Sequence, residues 1–185
     1  MSLLDIYLLD APILREVTRP VDAVTEDLRG LAADMFETMY AAKGIGLAAP
    51  QVGRRERLFV VNVDGAKHVL INPELLSAEG SEIAEEGCLS IPDVYGDVDR
   101  ATHVVMRALD LEGRPFDIDA TDLLARCLQH ELDHLNGKLF IDYLSLLKRR
   151  AAVSKYRKAH GEERTLSRKI VPAEAAEHHH RDEEL

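Results

Sequence analysis

Residues 129–134 read Gln-His-Glu-Leu-Asp-His, near the end of a segment that we expect to organise the fold. The segment covers about 121–135 and is predicted to be an α-helix. Thr121 or Asp122 can cap its start, and Gly137 can end it. The rest of the chain is then expected to pack around this helix.

The two histidines of this stretch follow the pattern H-E-x-x-H. Residues four apart share one face of a helix, so His130 and His134 can bind one metal ion. Glu131, next to the first histidine, can then reach a water molecule at that ion. The alternative interpretation is a solvated helix face whose histidines have ordinary hydrogen-bond partners.

A catalytic metal site needs a third protein ligand, and the chain has two cysteines to consider. Cys127 shares the histidine face but lies roughly 7.5 Å along the axis from the expected metal position, at about 1.5 Å per residue. That gap is too long for a cysteine side chain, so Cys127 is interpreted as a small apolar residue beside the site. Cys88 comes from elsewhere in the fold and is either a ligand or a buried structural thiol.

The segments on either side predict further helices and strands. Hydrophobic residues three and four apart predict a helix over about 25–42, and a last helix is expected over about 143–160. Short runs rich in Val and Ile predict strands at 57–63, 68–71, 103–109 and 116–118, with Asn72-Pro73 ending the second. No long helix separates these runs, so antiparallel pairing is expected. The predicted fold is α+β, with small antiparallel sheets packed around the central helix that carries the HExxH motif, and with flanking N- and C-terminal helices.

The composition limits the classes of protein to consider. The chain has 185 residues, 46% of them apolar, which suits one domain with a packed core. A net charge of -10 argues against a general nucleic-acid binder. No apolar run reaches the roughly 18 residues of a membrane span, and the N-terminal residues do not resemble a signal peptide. We therefore expect a cytoplasmic protein, in which Cys88 and Cys127 are free thiols, ligands or core residues rather than a disulfide.

A glycine-rich segment at residues 44–51 reads Gly-Ile-Gly-Leu-Ala-Ala-Pro-Gln. It lacks the third glycine of a dinucleotide-binding loop and follows a helix, so phosphate binding is not favoured. Its glycines allow a ligand to approach the backbone closely, and Gln51 offers an uncharged amide donor for an oxyanion. Taken alone, the segment is also compatible with a simple turn and a small apolar strand.

Three motifs in this order resemble those of the bacterial peptide deformylases. They are G-I-G-L-A-A-P-Q at 44–51, E-G-C-L-S at 86–90 and Q-H-E-L-D-H at 129–134. The flanking segments 34–40 and 137–144 also resemble that family, and the similarity runs from about Leu8 to about Lys158. The resemblance implies a metal-dependent hydrolase that removes the formyl group from the N-formyl-methionine of newly synthesised polypeptides and releases formate. It also implies a catalytic domain over 1–160, which leaves 161–185 as a charged, exposed tail.

The resemblance also implies roles for individual residues. Cys88, His130 and His134 would bind the metal, with water in the fourth position. Glu131 would be the general base and then the acid. The oxyanion would be held by the metal, by the Gln51 amide and by the Leu89 backbone N–H. In that family the ion is generally Fe(II), and a site with one thiolate also suits Zn, Ni or Co.

The methionine of such a substrate needs an apolar slot. Candidates for its lining are Ile45, Leu123, Cys127 and the ring of His130. The stem of Arg126 is expected to pack beside them, with its charged head in water. Gly46 and Gly87 would let the substrate backbone add to strands at 44–46 and 85–87. Asp133 is expected to orient the second histidine ligand, and Arg100 is either an ion-pair partner of Asp133 or Glu86 or a surface cation.

Two other classes of function remain open from the residues. An HExxH zinc peptidase needs a third His or Glu ligand downstream, and the next histidine, His160, lies beyond Gly137 and a further helix. A non-enzymatic metal-binding or thiol-redox module would use both cysteines, but they lack CxxC spacing. The triplet His178, His179 and His180 is followed by five more residues and is not interpreted as part of the site.

The C-terminal part of the chain is basic. Between Leu146 and Lys169 there are nine Lys and Arg against two Glu, a net charge of +7 in a chain of -10. Such asymmetry can direct association. One interpretation is a solvated helix held to the body by Leu146, Val153 and Tyr156. The other is docking on ribosomal RNA, which similar deformylases perform with their C-terminal helix.

Overall fold

The computed structural model describes residues 2–160 and 165–171. Within them the chain is an α+β fold with small antiparallel sheets, as the sequence predicts. Its α-helices are α1 (Glu26–Ala41), α2 (Asp122–Leu135) and α3 (Leu146–His160). Its strands are β1 (Ile6–Tyr7), β2 (Gly46–Ala48), β3 (Leu58–Val63), β4 (Ala66–Glu79), β5 (Glu82–Cys88), β6 (Ile91–Arg100), β7 (His103–Leu109), β8 (Pro115–Thr121) and β9 (Ser167–Arg168). None of these helices is long and apolar enough to cross a membrane.

The largest sheet has five antiparallel strands in the order β2-β3-β4-β7-β8. Successive side chains of a strand point to opposite faces. In β3, Phe59 and Val61 therefore join the core with α2, whereas Leu58 and Val60 join the core with α1. Burial of each such side chain stabilises the fold by about 1.5–3 kcal/mol. The sheet thus lies between α1 and α2, and α2 is held firmly against it.

The ends of the two packed helices follow the sequence signals. Thr25 caps α1 by accepting a hydrogen bond from the Leu28 N–H at 3.2 Å. Thr121 occupies the same position before α2, but its side chain makes no capping bond. Gly137 follows α2 with φ of +71°, and a Cβ atom there would lie 2.6 Å from the Arg15 carbonyl oxygen. Only glycine fits this position, both for its φ and for the space.

The strand predicted at 44–46 is β2, Gly46–Ala48, and the sequence does not predict the short strands β1 and β9. Two longer segments also differ from the predictions. Strand β4 continues through Asn72-Pro73 to Glu79, because irregular pairing with β7 accommodates these residues and Asn72 adopts φ of +51°. A separate two-stranded hairpin, β5–β6, covers 82–100, where the sequence indicated only a strand at 85–87. Strand β5 reads Glu-Ile-Ala-Glu-Glu-Gly-Cys and has only Glu86 buried, so it lacks the apolar alternation that predicts a strand.

The last helix, α3, begins at Leu146, three residues later than predicted. Its buried residues are Ala152 and Tyr156, and Val153 is partly buried. The expectation that Leu146 holds the helix to the body is wrong, because 74% of Leu146 is exposed. The inner face of α3 therefore depends on one tyrosine and small residues.

Beyond α3, strand β9 pairs antiparallel with the N-terminal strand β1. Ser167 and Arg168 are only partly exposed, which differs from the exposed tail that the sequence predicts for this stretch. Backbone hydrogen bonds to β1 hold them there, a long-range pairing that composition does not reveal. Residues 161–164 and 172–185, including His178, His179 and His180, lie outside the described residues, and the division into a domain over 1–160 and a tail stays a prediction.

Candidate metal centre and active-site cavity

Helix α2 presents His130 and His134 on one face, one turn apart. Cys88, the last residue of β5, meets them from the hairpin, with its Sγ 3.3 Å from His134 Nε2. One ligand atom from each of the three residues lies within 4.8 Å of the other two. The structure thus brings together the three residues that the motifs predict as metal ligands.

These three residues fit a divalent metal. One thiolate and two imidazoles are ligands typical of Zn and of iron-group ions. Burial would lower the pKa of His130, but its contacts with Cys88 and Glu86 raise it well above 6.5. Burial and the nearby charge of His130 lower the pKa of His134. Ligands must lose their protons to bind a metal, so metal binding at this cluster is coupled to proton release.

Cys127, the other cysteine, is buried and lies outside this cluster. Its Sγ approaches the Ile45 carbonyl oxygen at 3.8 Å. Burial, followed by the charges of Glu131 and Glu86, raises the pKa of this thiol well above 9.0. Cys127 is therefore a neutral side chain in the wall beside the cluster.

Glu131 lies directly beside the cluster and is almost completely buried. Burial raises the pKa of its carboxyl group to about 7. One carboxyl oxygen, Oε2, is buried without a hydrogen-bond partner among the described residues. Gly46 of β2 makes this arrangement possible, because any Cβ atom at that position would collide with the Glu131 carboxyl group. A buried acid with an unused oxygen and a pKa near neutrality suits general acid–base chemistry.

Hydrogen bonds fix the Gln51 side chain beside Cys88. Its Oε1 accepts a hydrogen bond from the Ala48 N–H at 2.8 Å, which orients Nε2 as the donor. Nε2 lies 3.2 Å from Ser90 Oγ and 3.5 Å from Cys88 Sγ. The amide donor therefore points to Cys88 and Ser90 of the E-G-C-L-S motif, the residues on either side of Leu89.

A buried ion network supports the first histidine. Glu86 Oε2 lies 3.0 Å from His130 Nδ1, which leaves Nε2 of that ring for a metal. Arg100 binds both Glu86 oxygens and also donates to Asp133 Oδ2 at 2.6 Å. Burial would raise the pKa of Glu86, but hydrogen bonds from His130 and Arg100 hold it at about 2. Of the alternatives for Arg100, the structure therefore shows the ion pair, with both carboxylates at once.

The position of the Arg126 guanidinium differs from the one predicted for the methionine slot. Its guanidinium does not extend into water but is buried, donating to Glu86 Oε1 and the Val98 carbonyl oxygen, both at 2.9 Å. It also donates to the Glu82 carbonyl oxygen at 2.6 Å. A buried guanidinium needs such partners. Arg126 thus ties α2 to both strands of the β5–β6 hairpin.

A cavity of about 490 Å³ opens beside the cluster. Its lining includes the five residues predicted to bind substrate, which are Ile45, Gly46, Gly87, Leu123 and Cys127. Ile45 and Leu123 are 43% and 49% exposed, so they form the rim, and Cys127 lies deeper. Tyr95 covers Gly87 from the neighbouring strand, where a Cβ atom on Gly87 would lie 2.8 Å from its ring.

Sequence reasoning missed two features of this site. It did not identify Glu86 as the partner of His130, although the position of Glu86 within E-G-C-L-S was a usable signal. It also missed Arg168, which lines the cavity from β9. No motif or spacing in the sequence indicates that this residue returns to the site.

His160, the next histidine downstream of the motif, lies on α3. Its Nδ1 contacts the Tyr156 carbonyl oxygen at 3.0 Å, and it is not part of the ligand cluster. The third residue at the cluster is Cys88 instead. The geometry therefore does not favour the ligand set of an HExxH peptidase.

Comparisons with known proteins agree with this geometry. Residues 3–150 match the family model described as polypeptide deformylase, a range that ends within α3 and leaves β9 outside it. A peptide deformylase of Alkalilimnicola ehrlichii is 56% identical over 154 residues, which cover 81% of this chain and 86% of that protein. The crystal structure of a peptide deformylase from Legionella pneumophila is 48% identical with a TM-score of 0.83, covering 86% of this chain and 96% of that one. The peptide deformylase of Ehrlichia chaffeensis in complex with actinonin is 39% identical with a TM-score of 0.84, covering 89% and 100%.

Proposed function

Because the chain belongs to the polypeptide deformylase family, we propose how its residues perform the family's reaction. The protein is a hydrolase that removes the formyl group from the N-terminal formyl-methionine of newly synthesised polypeptides. The observation that carries the mechanism is the cluster of Cys88, His130 and His134 within 4.8 Å, with buried Glu131 at its side.

Cys88, His130 and His134 would hold one divalent cation, and we assign Fe(II), with Zn, Ni or Co as substitutes. A thiolate and two imidazoles suit all of these ions. When bound, the cation supplies Lewis acidity that polarises the formyl group and makes a water molecule acidic enough to attack near neutral pH. Glu86 orients the His130 ring for this purpose, and Asp133 and Arg100 hold Glu86 and the end of α2 in place.

Glu131 moves the proton. Its carboxylate takes a proton from the attacking water as the oxygen bonds to the formyl carbon, and it gives that proton to the departing amine as the C–N bond breaks. The products are formate and a peptide with a free N-terminal methionine. A pKa of about 7 in the buried site suits a group that must both accept and donate.

Gln51 and Leu89 stabilise the oxygen of the formyl group as it gains negative charge. The Gln51 Nε2 donor is already aimed by the bond to Ala48, so little reorganisation is needed. The Leu89 backbone N–H follows Cys88 directly and is the second donor. Both groups are neutral, so they stabilise the charge without attracting other anions.

The cavity beside the cluster receives the substrate methionine. Ile45 and Leu123 form its rim and Cys127 its wall, with Gly46 and Gly87 allowing the substrate backbone to approach β2 and β5. Backbone pairing of this kind does not depend on the side chains of the substrate, so nascent chains of many sequences are accepted. We assign the reaction to the cytoplasm, where nascent chains arise, and we assign the ribosome as a partner through basic helix α3.

The test measures formate release from formyl-Met-Ala-Ser, with acetyl-Met-Ala-Ser as the matched control. We expect formate from the first peptide only, loss of activity on removal of the metal, and recovery with Fe(II). Cleavage of a peptide bond would indicate a peptidase instead. Metal binding without turnover of either peptide would indicate a non-enzymatic module.

A further inference from the structure

Strand β9 brings a cation to the active-site cavity. Arg168 pairs with Ile6 of β1 through the backbone, and the Leu8 N–H donates to the Leu166 carbonyl oxygen at 2.8 Å beside it. Ile170, two residues further, packs against the core that contains α1. The backbone around Arg168 is therefore anchored on both sides, and its side chain lines the cavity.

The contact of Arg168 at the cavity is with Leu89, the residue assigned as an oxyanion donor. Arg168 Nη2 donates to the Leu89 carbonyl oxygen at 3.4 Å, a weak bond. The Leu89 side chain packs against Gly44, where a Cβ atom would lie 2.7 Å from Leu89 Cδ1. Lys43, adjacent to Gly44, lines the same cavity, so two cations border this wall.

The guanidinium of Arg168 has unused donors. Arginine has five N–H donors, and among the described residues only the Leu89 carbonyl oxygen accepts from this one. Its Nε is buried without a partner, and no carboxylate of the described residues lies within 4.0 Å of it. By contrast, Arg100 and Arg126 at the same cavity region each bind Glu86. A partly buried cation without a counter-ion is unfavourable unless a ligand supplies one.

We propose that Arg168 is a specificity-determining residue that binds a carboxylate on the substrate peptide, at the second or third residue after the formyl group. This inference rests on the proposed function, because it assumes that the cavity holds a formyl-methionyl peptide. The carboxylate accepts charge-assisted hydrogen bonds from the free guanidinium donors while formyl-methionine occupies the site. Substrates with Asp or Glu at one of these positions are therefore preferred over their amide equivalents, despite the acidic net charge of the protein.

The experiment compares amidated peptides that differ in one carboxylate. These are formyl-Met-Asp-Ala against formyl-Met-Asn-Ala, and formyl-Met-Ala-Asp against formyl-Met-Ala-Asn. We expect kcat/KM of the wild type to be about three- to tenfold higher for the Asp peptide of one pair, the size expected for a partly exposed charge-assisted bond. Arg168→Gln lowers this ratio towards one, and Arg168→Lys retains part of it. A general loss of activity in a variant does not change the Asp-to-Asn ratio of kcat/KM, because both peptides are measured with the same variant.

Lys169→Gln is the matched control. It removes the same charge one residue further along the chain, at an exposed position that does not line the cavity. It should leave the Asp-to-Asn ratio unchanged. A wild-type ratio near one for both pairs, a ratio unaffected by Arg168→Gln, or an equal loss in Lys169→Gln would each overturn the proposal.

Binding of the corresponding product peptides, measured by calorimetry, separates the inference from the proposed function. Met-Asp-Ala and Met-Ala-Asp should bind more tightly than their Asn equivalents in the pair that shows the kinetic preference, and Arg168→Gln should abolish the difference. Absence of formate release would contradict the proposed function, whereas equal binding of Asp and Asn peptides would contradict the role of Arg168.

Discussion

At the scale of single residues, Glu131 combines burial, an unused carboxyl oxygen and a raised pKa next to a ligand without being a ligand itself. Glu131→Gln should therefore retain the fold and the metal while deformylation falls by about 10²–10⁴-fold, the usual contribution of a general base. Metal content per chain and formate release are measured on the same preparation. A variant with full metal and a near-native rate would contradict the assignment.

The two cysteines allow a matched comparison, because only one of them belongs to the ligand cluster. Cys88→Ser should lose or weaken the metal, since a hard hydroxyl replaces a soft thiolate. Cys127→Ser should retain the metal and change at most the binding of the methionine side chain. Elemental analysis after dialysis gives the result directly. Equal metal loss in both variants would show that the distance along α2 does not exclude Cys127.

At the scale of secondary-structure elements, the site depends on how the β5–β6 hairpin meets α2. The helix supplies two of the proposed ligands and the proposed base, whereas Cys88 comes from the hairpin. Arg100 at the end of β6 and Arg126 on α2 both bind Glu86 of β5. These charge-assisted bonds, together with the Cys88 contact, set the spacing between the two elements.

Asp142 connects Arg15 and the Leu139 backbone to helix α3 and gives a pH-dependent prediction. It accepts hydrogen bonds from Arg15 and from the Leu139 N–H, and it pairs with Arg149 of α3 at 3.0 Å. Burial would raise its pKa, but these partners hold the pKa below its ordinary value of 3.8. Asp142→Asn should lower the free energy of unfolding by about 1–2 kcal/mol at pH 7.

The sign of the pH effect follows from the lowered pKa of Asp142. Its contribution is complete above the unfolded value of 3.8 and is lost as pH falls through the lower folded value. The difference in urea unfolding between wild type and Asp142→Asn should therefore shrink as pH decreases from 5 to below 3. Asp22→Asn, at an exposed position, is the control and should show no such trend. A difference that persists unchanged at the lowest pH would refute the assigned contacts.

At the scale of the whole molecule, the charge distribution bears on docking at the ribosome. Some basic residues of α3 pair with the acidic body, such as Arg149 with Asp142 and Arg157 with Asp10. Lys155 and Lys158 are exposed on one face of the helix and line a shallow groove with Ala151, Ser154 and Ala159. These two lysines are therefore accessible to phosphate groups.

Reversing the charge of Lys155 and Lys158 together should weaken co-sedimentation with ribosomes at low salt, and the wild-type interaction should itself weaken steeply as salt rises. Arg19→Glu with Lys67→Glu changes the net charge equally at exposed positions in other elements and is the control. Deformylation of a short peptide should be unaffected in both variants. Unchanged co-sedimentation of the α3 variant would indicate a merely solvated helix.

The sequence by itself determined the helix that carries His130 and His134, its end at Gly137, the fold class and the family. These features depend on local spacing, because a helix places residues four apart on one face wherever it lies. It also indicated Cys88 through a motif, and it excluded Cys127 by distance along one helix. Each motif needs only a few neighbouring residues, and the family follows from three such motifs in their order along the chain.

Only the tertiary structure decided the rest of the site. The buried bond between Arg126 and Glu86 joins residues 40 apart in the chain, and the contact between Arg168 and Leu89 joins residues 79 apart. Such contacts depend on which strands pair and on where a hairpin meets a helix. An arginine is usually exposed, so composition predicted a solvated head for Arg126 and an exposed tail around Arg168. For Arg126 the fold overrides this preference by placing a carboxylate and carbonyl oxygens around the buried guanidinium, whereas Arg168 is held at the cavity by the pairing of β9 with β1.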